Sequence, residues 1–412
     1  MNRIVLVGNG FDLAHGLHTG YEHFMEWYWR RWGEALSVSD LKRESDGLCS
    51  FDLNPHLGYA SWAEVRRDNL SMTTNEWVEM AKRNASLCTF LQHSQFLGEI
   101  CKSIESKGWV DVENEYYRLL NAQVSSPENL NDDFEIVKNK LVEYLNEIQY
   151  SKIAEMPIHD EIGWKLIAPI HEREISVKNR RQWIDFAQSG HSFSYYDSWG
   201  EKVWQSGSFR DGVEALEKVK QKGQGAVPFA GLKSSGDDLP EQIFPDRIML
   251  LNFNYTSTAD RYFEGRDENY FLINHIHGEL SNRNGIIFGH GDEMDDNYSS
   301  LKKINDNELF KNMKTIRYSE NGNYRKMLSF IESAPYQICI MGHSCGNSDR
   351  TLLNTLFEHE NCVSIKLFYR EMENGSDNYL KIIQNISRSF TDMKLMRDRV
   401  VNKMFCEPLL NF

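Results

Sequence analysis

Ile4-Val5-Leu6-Val7-Gly8-Asn9-Gly10-Phe11-Asp12 stands at the start of the chain. Its apolar run is continuous rather than alternating, which suits a strand buried on both faces of a parallel sheet. The two glycines serve either a tight strand-to-helix turn or a close backbone approach to a phosphate. Leu13 stands where a full G-x-G-x-x-G would place its third glycine. Asp12 would repel a phosphate, but could accept from a ribose hydroxyl or cap a helix.

Working outward, five more runs of this kind each end in a polar or glycine-rich cluster. Ile248–Leu251 leads into Asn252-Phe253-Asn254-Tyr255-Thr256, and Tyr270–Ile273 into His275-Ile276-His277-Gly278. Ile286-Ile287-Phe288 leads into Gly289-His290-Gly291-Asp292, and Ile338–Met341 into Gly342-His343-Ser344. Val363–Phe368 is the last. Helical patterns separate several of them. Thr19-Gly20-Tyr21-Glu22 has the form of a capping box, followed by Tyr21, Phe24, Met25, Tyr28, Trp32 and Leu36 at helical spacing. Ser348 stands where it would cap a helix carrying Leu352, Leu353, Leu356 and Phe357. Strand and helix in repeated alternation predict a Rossmann-like α/β core with a parallel sheet. Ligands bind such sheets at the carboxyl ends of the strands, where the polar clusters fall.

Residues 36–245 read as a mainly helical insertion, which leaves residues 1–35 and 246–412 for the α/β core. One helical stripe is Phe134, Val137, Leu141, Tyr144, Leu145 and Ile148. Another is Phe96, Leu97, Ile100, Cys101 and Ile104, stopped by Gly108. Residues 206–245, rich in Gly, Ser, Lys and Pro, read as a loop.

Composition narrows the function. The 412 residues are 41% hydrophobic and 26% charged, an ordinary globular balance. No apolar run reaches the ~20 residues of a membrane helix, and no signal-peptide core is visible, so a cytoplasmic protein is expected. Seven cysteines without a Cys-x-x-Cys pair argue against a disulfide framework or a cysteine zinc site. A net charge of −14 argues against direct nucleic-acid binding. It leaves room for a small phosphate-bearing ligand held by backbone N–H groups.

Several clusters carry candidate chemistry. Asn252 and Asn254 can orient an amide or a sugar hydroxyl, or simply cap a turn. His277 beside Gly278 suits a general base. His275 and His277 would point the same way if extended, and with His290 and Asp292 they form an alternative metal set. Gly342-His343-Ser344-Cys345-Gly346 matches the G-x-S-x-G elbow of serine hydrolases. Only His359 follows it, however, and Asp349 is too close in sequence to be the usual acid. Asp111 and Glu113 in Trp109-Val110-Asp111-Val112-Glu113 read as a solvated acidic segment, with the alternative that they face the site. His15, His18 and His23 lie near the first loop.

Taken together, Gly8-Asn9-Gly10-Phe11-Asp12-Leu13-Ala14-His15-Gly16-Leu17, Asn252-Phe253-Asn254-Tyr255-Thr256, His275-Ile276-His277-Gly278 and Gly342-His343-Ser344 through Ser348-Asp349-Arg350 resemble the AbiH family of phage abortive-infection proteins. The pattern is more distantly similar to sirtuin-like NAD-binding domains. That resemblance implies that Gly8, Asn9, Gly10, Asp12, Asn252, Gly342, His343, Ser344 and Asp349 line a nucleotide pocket, with Asn254 and His277 as catalytic residues. Thr256 and Asn252 replace the aspartate and threonine of the sirtuin-like motif, and a zinc-binding cysteine set is lacking. The resemblance therefore implies a phage-defence effector that binds NAD or a related nucleotide and hydrolyses it. A phage component would be its trigger, and a homo-oligomer is compatible with it. The alternatives are a nucleotide-binding sensor or toxin without catalysis, and a metal- or serine-dependent hydrolase.

Overall fold

The computed structural model describes residues 1–107, 111–122, 126–153, 156–181, 184, 208–221 and 242–410. Strand β1 (Asn2–Val7) runs into a short helix, α1 (Asn9–Ala14), and then α2 (Tyr21–Val38). Helices α3 (Gln95–Lys107), α4 (Val112–Ala122) and α5 (Pro127–Lys152) follow. The chain returns to the sheet with β2 (Ile248–Asn252) and β3 (Phe271–His275). Helix α6 (Asn323–Ser333), β4 (Tyr336–Met341), α7 (Arg350–Glu358), β5 (Cys362–Tyr369), α8 (Tyr379–Arg388) and β6 (Glu407–Pro408) complete it. The six strands are all parallel and lie in the order β3-β2-β1-β4-β5-β6. The order reverses between β1 and β4, where Ile4 pairs with Ile338 and Val7 with Met341.

The apolar runs owe their continuity to burial on two sides. Ile4, Leu6, Met249, Leu251, Ile338 and Ile340 pack with Met327, Phe330, Ile331, Leu352 and Leu356 of α6 and α7. Their neighbours Val5, Val7, Leu250, Cys339 and Met341 point the other way and pack with Phe11, Ile162, Leu166, Phe209 and Val213. Arg3, 2% exposed within this sheet, donates to the carbonyls of Leu166 and Ala168 and to Gln337 Oε1. Its burial is tolerated because every donor group has an acceptor.

The stretch from 36 to 245 has two destinations. Residues 160–167 and 209–221 form helices laid on one face of the sheet. Helices α2 to α5 share a second core, which also takes in Leu280, Ile286, Phe288 and Met313. Both predicted stripes are helical in α3 and α5. Within 206–245, residues 209–221 are helix rather than loop, and residues 222–241 lie outside the described residues, as does Gly108. This region also holds a three-stranded antiparallel sheet of Arg43–Ser45, Cys49–Leu53 and Cys88–Gln92, which periodicity did not reveal.

Three local expectations are corrected. Ile286–Phe288 is buried but forms no strand, since the Ile287 N–H donates to the His277 carbonyl within a loop. Helix α2 is capped by Gly20 with no side-chain bond, because the Thr19 hydroxyl donates to Asn9 Oδ1 instead. Asp349, not Ser348, stands at the N-cap of α7, after a 3-10 turn at Asn347–Asp349.

Candidate functional site

The loops after β1, β2, β3 and β4 meet at one edge of the sheet. At the reversal point two of them cross in backbone contact. The Gly10 N–H donates to the Gly342 carbonyl at 2.8 Å. Gly342 has φ +77, and a Cβ there would lie 2.0 Å from the Phe11 nitrogen. A Cβ on Gly8 would lie 2.5 Å from the His343 Cα. The three glycines are therefore required by the crossing itself, whatever else the loop does.

Asn254 donates through Nδ2 to the Gly8 carbonyl at 3.0 Å, tying the loop after β2 to the loop after β1. Asn252 accepts the Asn254 N–H and donates to the Thr256 carbonyl. The Thr256 hydroxyl donates to Asp12 Oδ2 at 2.6 Å. Asp12 is 1% exposed, and burial pushes its carboxyl up to about 6 despite the hydroxyl. These residues brace the loops, while Asn9 lies on the exposed rim.

A second set converges on Asp349. Its Oδ1 lies 3.2 Å from His277 Nε2 and 2.8 Å from Lys314 Nζ, and its Oδ2 lies 3.5 Å from His343 Nε2. The Lys314 ammonium also reaches Glu113 Oε2 at 2.8 Å, and Glu113 Oε1 accepts the Gly289 N–H. Tyr318 OH stands 3.2 Å from His277 Nε2, and the Phe253 ring packs against both His277 and His343. His277, Asp349 and Lys314 are 3%, 7% and 1% exposed, so the Asp349 and Lys314 charges act on each other and on His277 with little solvent screening.

Burial opposes every charge here, and the neighbours decide which survive. Against burial, the Lys314 ammonium and His277 hold the Asp349 carboxyl well below the usual carboxylate range. Against burial, Asp349 and Glu113 hold the Lys314 ammonium well above its ordinary value. Burial, reinforced by Asp349 and Asp111, pushes Glu113 up even though Lys314 opposes it. Burial and Lys314 together lower His277, which is neutral near pH 7. An ionised Asp349 only accepts, so it assigns the His277 proton to Nε2 and leaves Nδ1 basic. His343 accepts the Cys345 N–H at Nδ1, so its Nε2 carries the proton that faces Asp349.

The histidine pair of the sequence separates. Strand β3 ends at His275, and Gly278 turns the chain at φ +82. His275 therefore pairs with Asp260 at 2.9 Å while His277 faces Asp349. Asp292 pairs with Arg350, and His290 stacks on Tyr117. Among the described residues no three His, Cys, Asp or Glu side chains are grouped to hold a metal. Ser344 is exposed, and among the described residues no hydrogen bond joins its hydroxyl to a histidine. Cys345 rather than Ser344 occupies the left-handed conformation at φ +53, and His359 pairs with Glu332 instead. His15 lies between the Phe11 carbonyl and Tyr262, whereas His18 and His23 pair with each other in the exposed region.

Lys314 and Tyr318 were not legible as site residues, since neither belongs to a motif or a periodic stripe. Asp111 and Glu113 correct the solvated reading: they open α4 and are drawn into the cluster, Glu113 through Lys314. The signal available was a pair of acids immediately before the apolar stripe Tyr116, Tyr117, Leu119 and Leu120. Trp109 and Val110 lie outside the described residues. No described helix is long and apolar enough to cross a membrane.

No curated protein and no solved structure matches the chain. A family model described as Bacteriophage abortive infection AbiH matches residues 4–370, from β1 through β5. The span takes in both braced loops and every side chain of the Asp349 cluster, and the chain accordingly belongs to the AbiH family of phage abortive-infection proteins.

Proposed function

We propose that the cluster at the sheet edge is a hydrolytic site for the N-glycosidic bond of NAD or a related nucleotide, so that an infected cell loses that nucleotide. The observation that carries this reading is the buried His277–Asp349 pair at the carboxyl ends of the strands. The strand order supports it, because doubly wound dinucleotide-binding sheets use the same 3-2-1-4-5-6 arrangement and bind ligand where the order reverses. This is the sense in which the core is Rossmann-like. A sirtuin-like relation would add the nucleotide contacts of Gly8, Gly10, Gly342, His343 and Ser344.

In this reading water attacks the ribosyl carbon. The carbon–nitrogen bond breaks, and its electron pair neutralises the pyridinium of the departing nicotinamide. The proton of the water passes to His277 Nδ1, and ADP-ribose is the second product. The transition state gathers positive charge on the sugar, which an ionised Asp349 stabilises. Asn254, held by the Gly8 carbonyl, offers Oδ1 to a ribose hydroxyl or to the carboxamide.

The test is to incubate the purified protein with NAD, with and without phage lysate, and to follow free nicotinamide. The wild type should release it, and a folded His277→Ala protein should lose ~100-fold or more of that activity. Full turnover in His277→Ala would remove the assignment. The near-complete burial of the cluster favours a second reading, a sensor that binds nucleotide without cleaving it. NAD binding without nicotinamide release would select that reading.

A further inference from the structure

His290 is 1% exposed, and among the described residues no group bonds either of its ring nitrogens. Buried polar atoms are nearly always satisfied, so two orphaned atoms on one ring call for an explanation. The residue that carries this ring is fixed in position. Its backbone is held on both sides, the His290 N–H donating to the Asn312 carbonyl and the Lys314 N–H to the His290 carbonyl. A Cβ on Gly289 would lie 1.9 Å from the Asn312 oxygen, and one on Gly291 would lie 3.0 Å from the Ser348 oxygen. The loop is thus wedged between the segment bearing Lys314 and the turn bearing Asp349. One face of the imidazole is covered by Tyr117, whose ring is 4.0 Å away and inclined by 3°. Tyr117 lies one helical turn beyond Glu113 on α4, and its hydroxyl donates to Asp295.

From this placement we infer that His290 is a ligand-binding residue of the Asp349 site, whose ring nitrogens exchange hydrogen bonds, in the plane of the ring and beside the Tyr117 stack, with an uncharged polar group of the substrate. Burial and the Lys314 charge hold the imidazole down to about 3, so it meets the ligand neutral, as one donor and one acceptor. That chemistry fits a hydroxyl or a carboxamide. It gives no advantage to a third carboxylate beside Asp349 and Glu113. The inference rests on this edge of the sheet being the substrate site, not on the substrate being NAD.

His290→Phe separates the ligand role from packing. A phenyl ring keeps the stack on Tyr117 and has no nitrogens to satisfy, so the variant should melt at or above the wild-type temperature. It should nevertheless fail to protect cells from phage. If NAD is the substrate, its KM for nicotinamide release should rise ~10- to 100-fold, the effect of losing the hydrogen bonds of both ring nitrogens. Should His290→Phe not fold, His290→Met is judged in the same way. A folded variant with full protection overturns the proposal and leaves His290 with buried water alone. If both variants are unfolded, the ring is needed for packing, which also overturns it. Lost protection in a folded variant, with no nicotinamide released by the wild type, supports His290 and removes only the NAD reading.

Discussion

Lys314→Met tests whether the cluster is held together by charge. The Lys314 ammonium lies 2.8 Å from one oxygen each of Glu113 and Asp349, and the three side chains are 1%, 11% and 9% exposed. Methionine keeps an unbranched stem of similar volume and removes the ammonium that bonds these two carboxylates. Removing one partner of a buried pair costs about 3–5 kcal/mol, because the other is left charged and desolvated. The solvent-exposed Lys403, paired with Asp377, is the control, since Lys403→Met there should leave stability nearly unchanged. The loss at Lys314 should also depend on pH. Without the ammonium, the burial that already raises Glu113 acts with less opposition, so the folded variant holds a proton there that the unfolded chain releases. Its stability therefore rises as pH falls, and the penalty should shrink between about pH 7.5 and about pH 5.5. Urea unfolding followed by circular dichroism at the two pH values measures this. A penalty below about 1 kcal/mol, equal at both pH values, would refute the buried ion cluster.

Two further perturbations probe the loops. Asp12 has its carboxyl raised from 3.8 to about 6, so its contribution to stability is full below the lower value and is lost as pH rises through the higher one. Asp12→Asn should remove about 3 kcal/mol of that pH dependence and raise the melting temperature near pH 7.5. A variant less stable than wild type at that pH would show an ionised, well-partnered Asp12. Gly342→Ala adds a Cβ 2.0 Å from the Phe11 nitrogen at φ +77, whereas Gly16→Ala at φ +73 meets nothing within 4 Å. Gly16→Ala should lose about 1 kcal/mol from backbone conformation alone, and Gly342→Ala several times more. Equal melting temperatures would mean that the two loops do not cross as described.

Legibility followed the range of the forces involved. Ile4–Val7, Ile248–Leu251 and Ile338–Met341 were readable as strands because two-sided burial imposes an apolar residue at every position. Ile286–Phe288 carries the same signature without being a strand. A short apolar run reports burial, and only the partner of the Ile287 N–H decides its conformation. The Thr19 capping box failed for a related reason, since Asn9 competes for the hydroxyl from ten residues upstream. His277, His343 and Asp349 were visible because they stand in short clusters at strand ends.

The sequence by itself determined a parallel α/β core, the places where its strands end, the stripes of α2, α3 and α5, and membership of the family through clusters spread along the chain. These depend on neighbours a few residues apart. Only the tertiary structure decided the order of the strands and which polar residues share a site. Lys314 meets Glu113 across 201 positions and Asp349 across 35. Whether an acid is solvated or buried depends on what the fold lays over it, and nothing next to Glu113 in the chain encodes the ammonium that faces it.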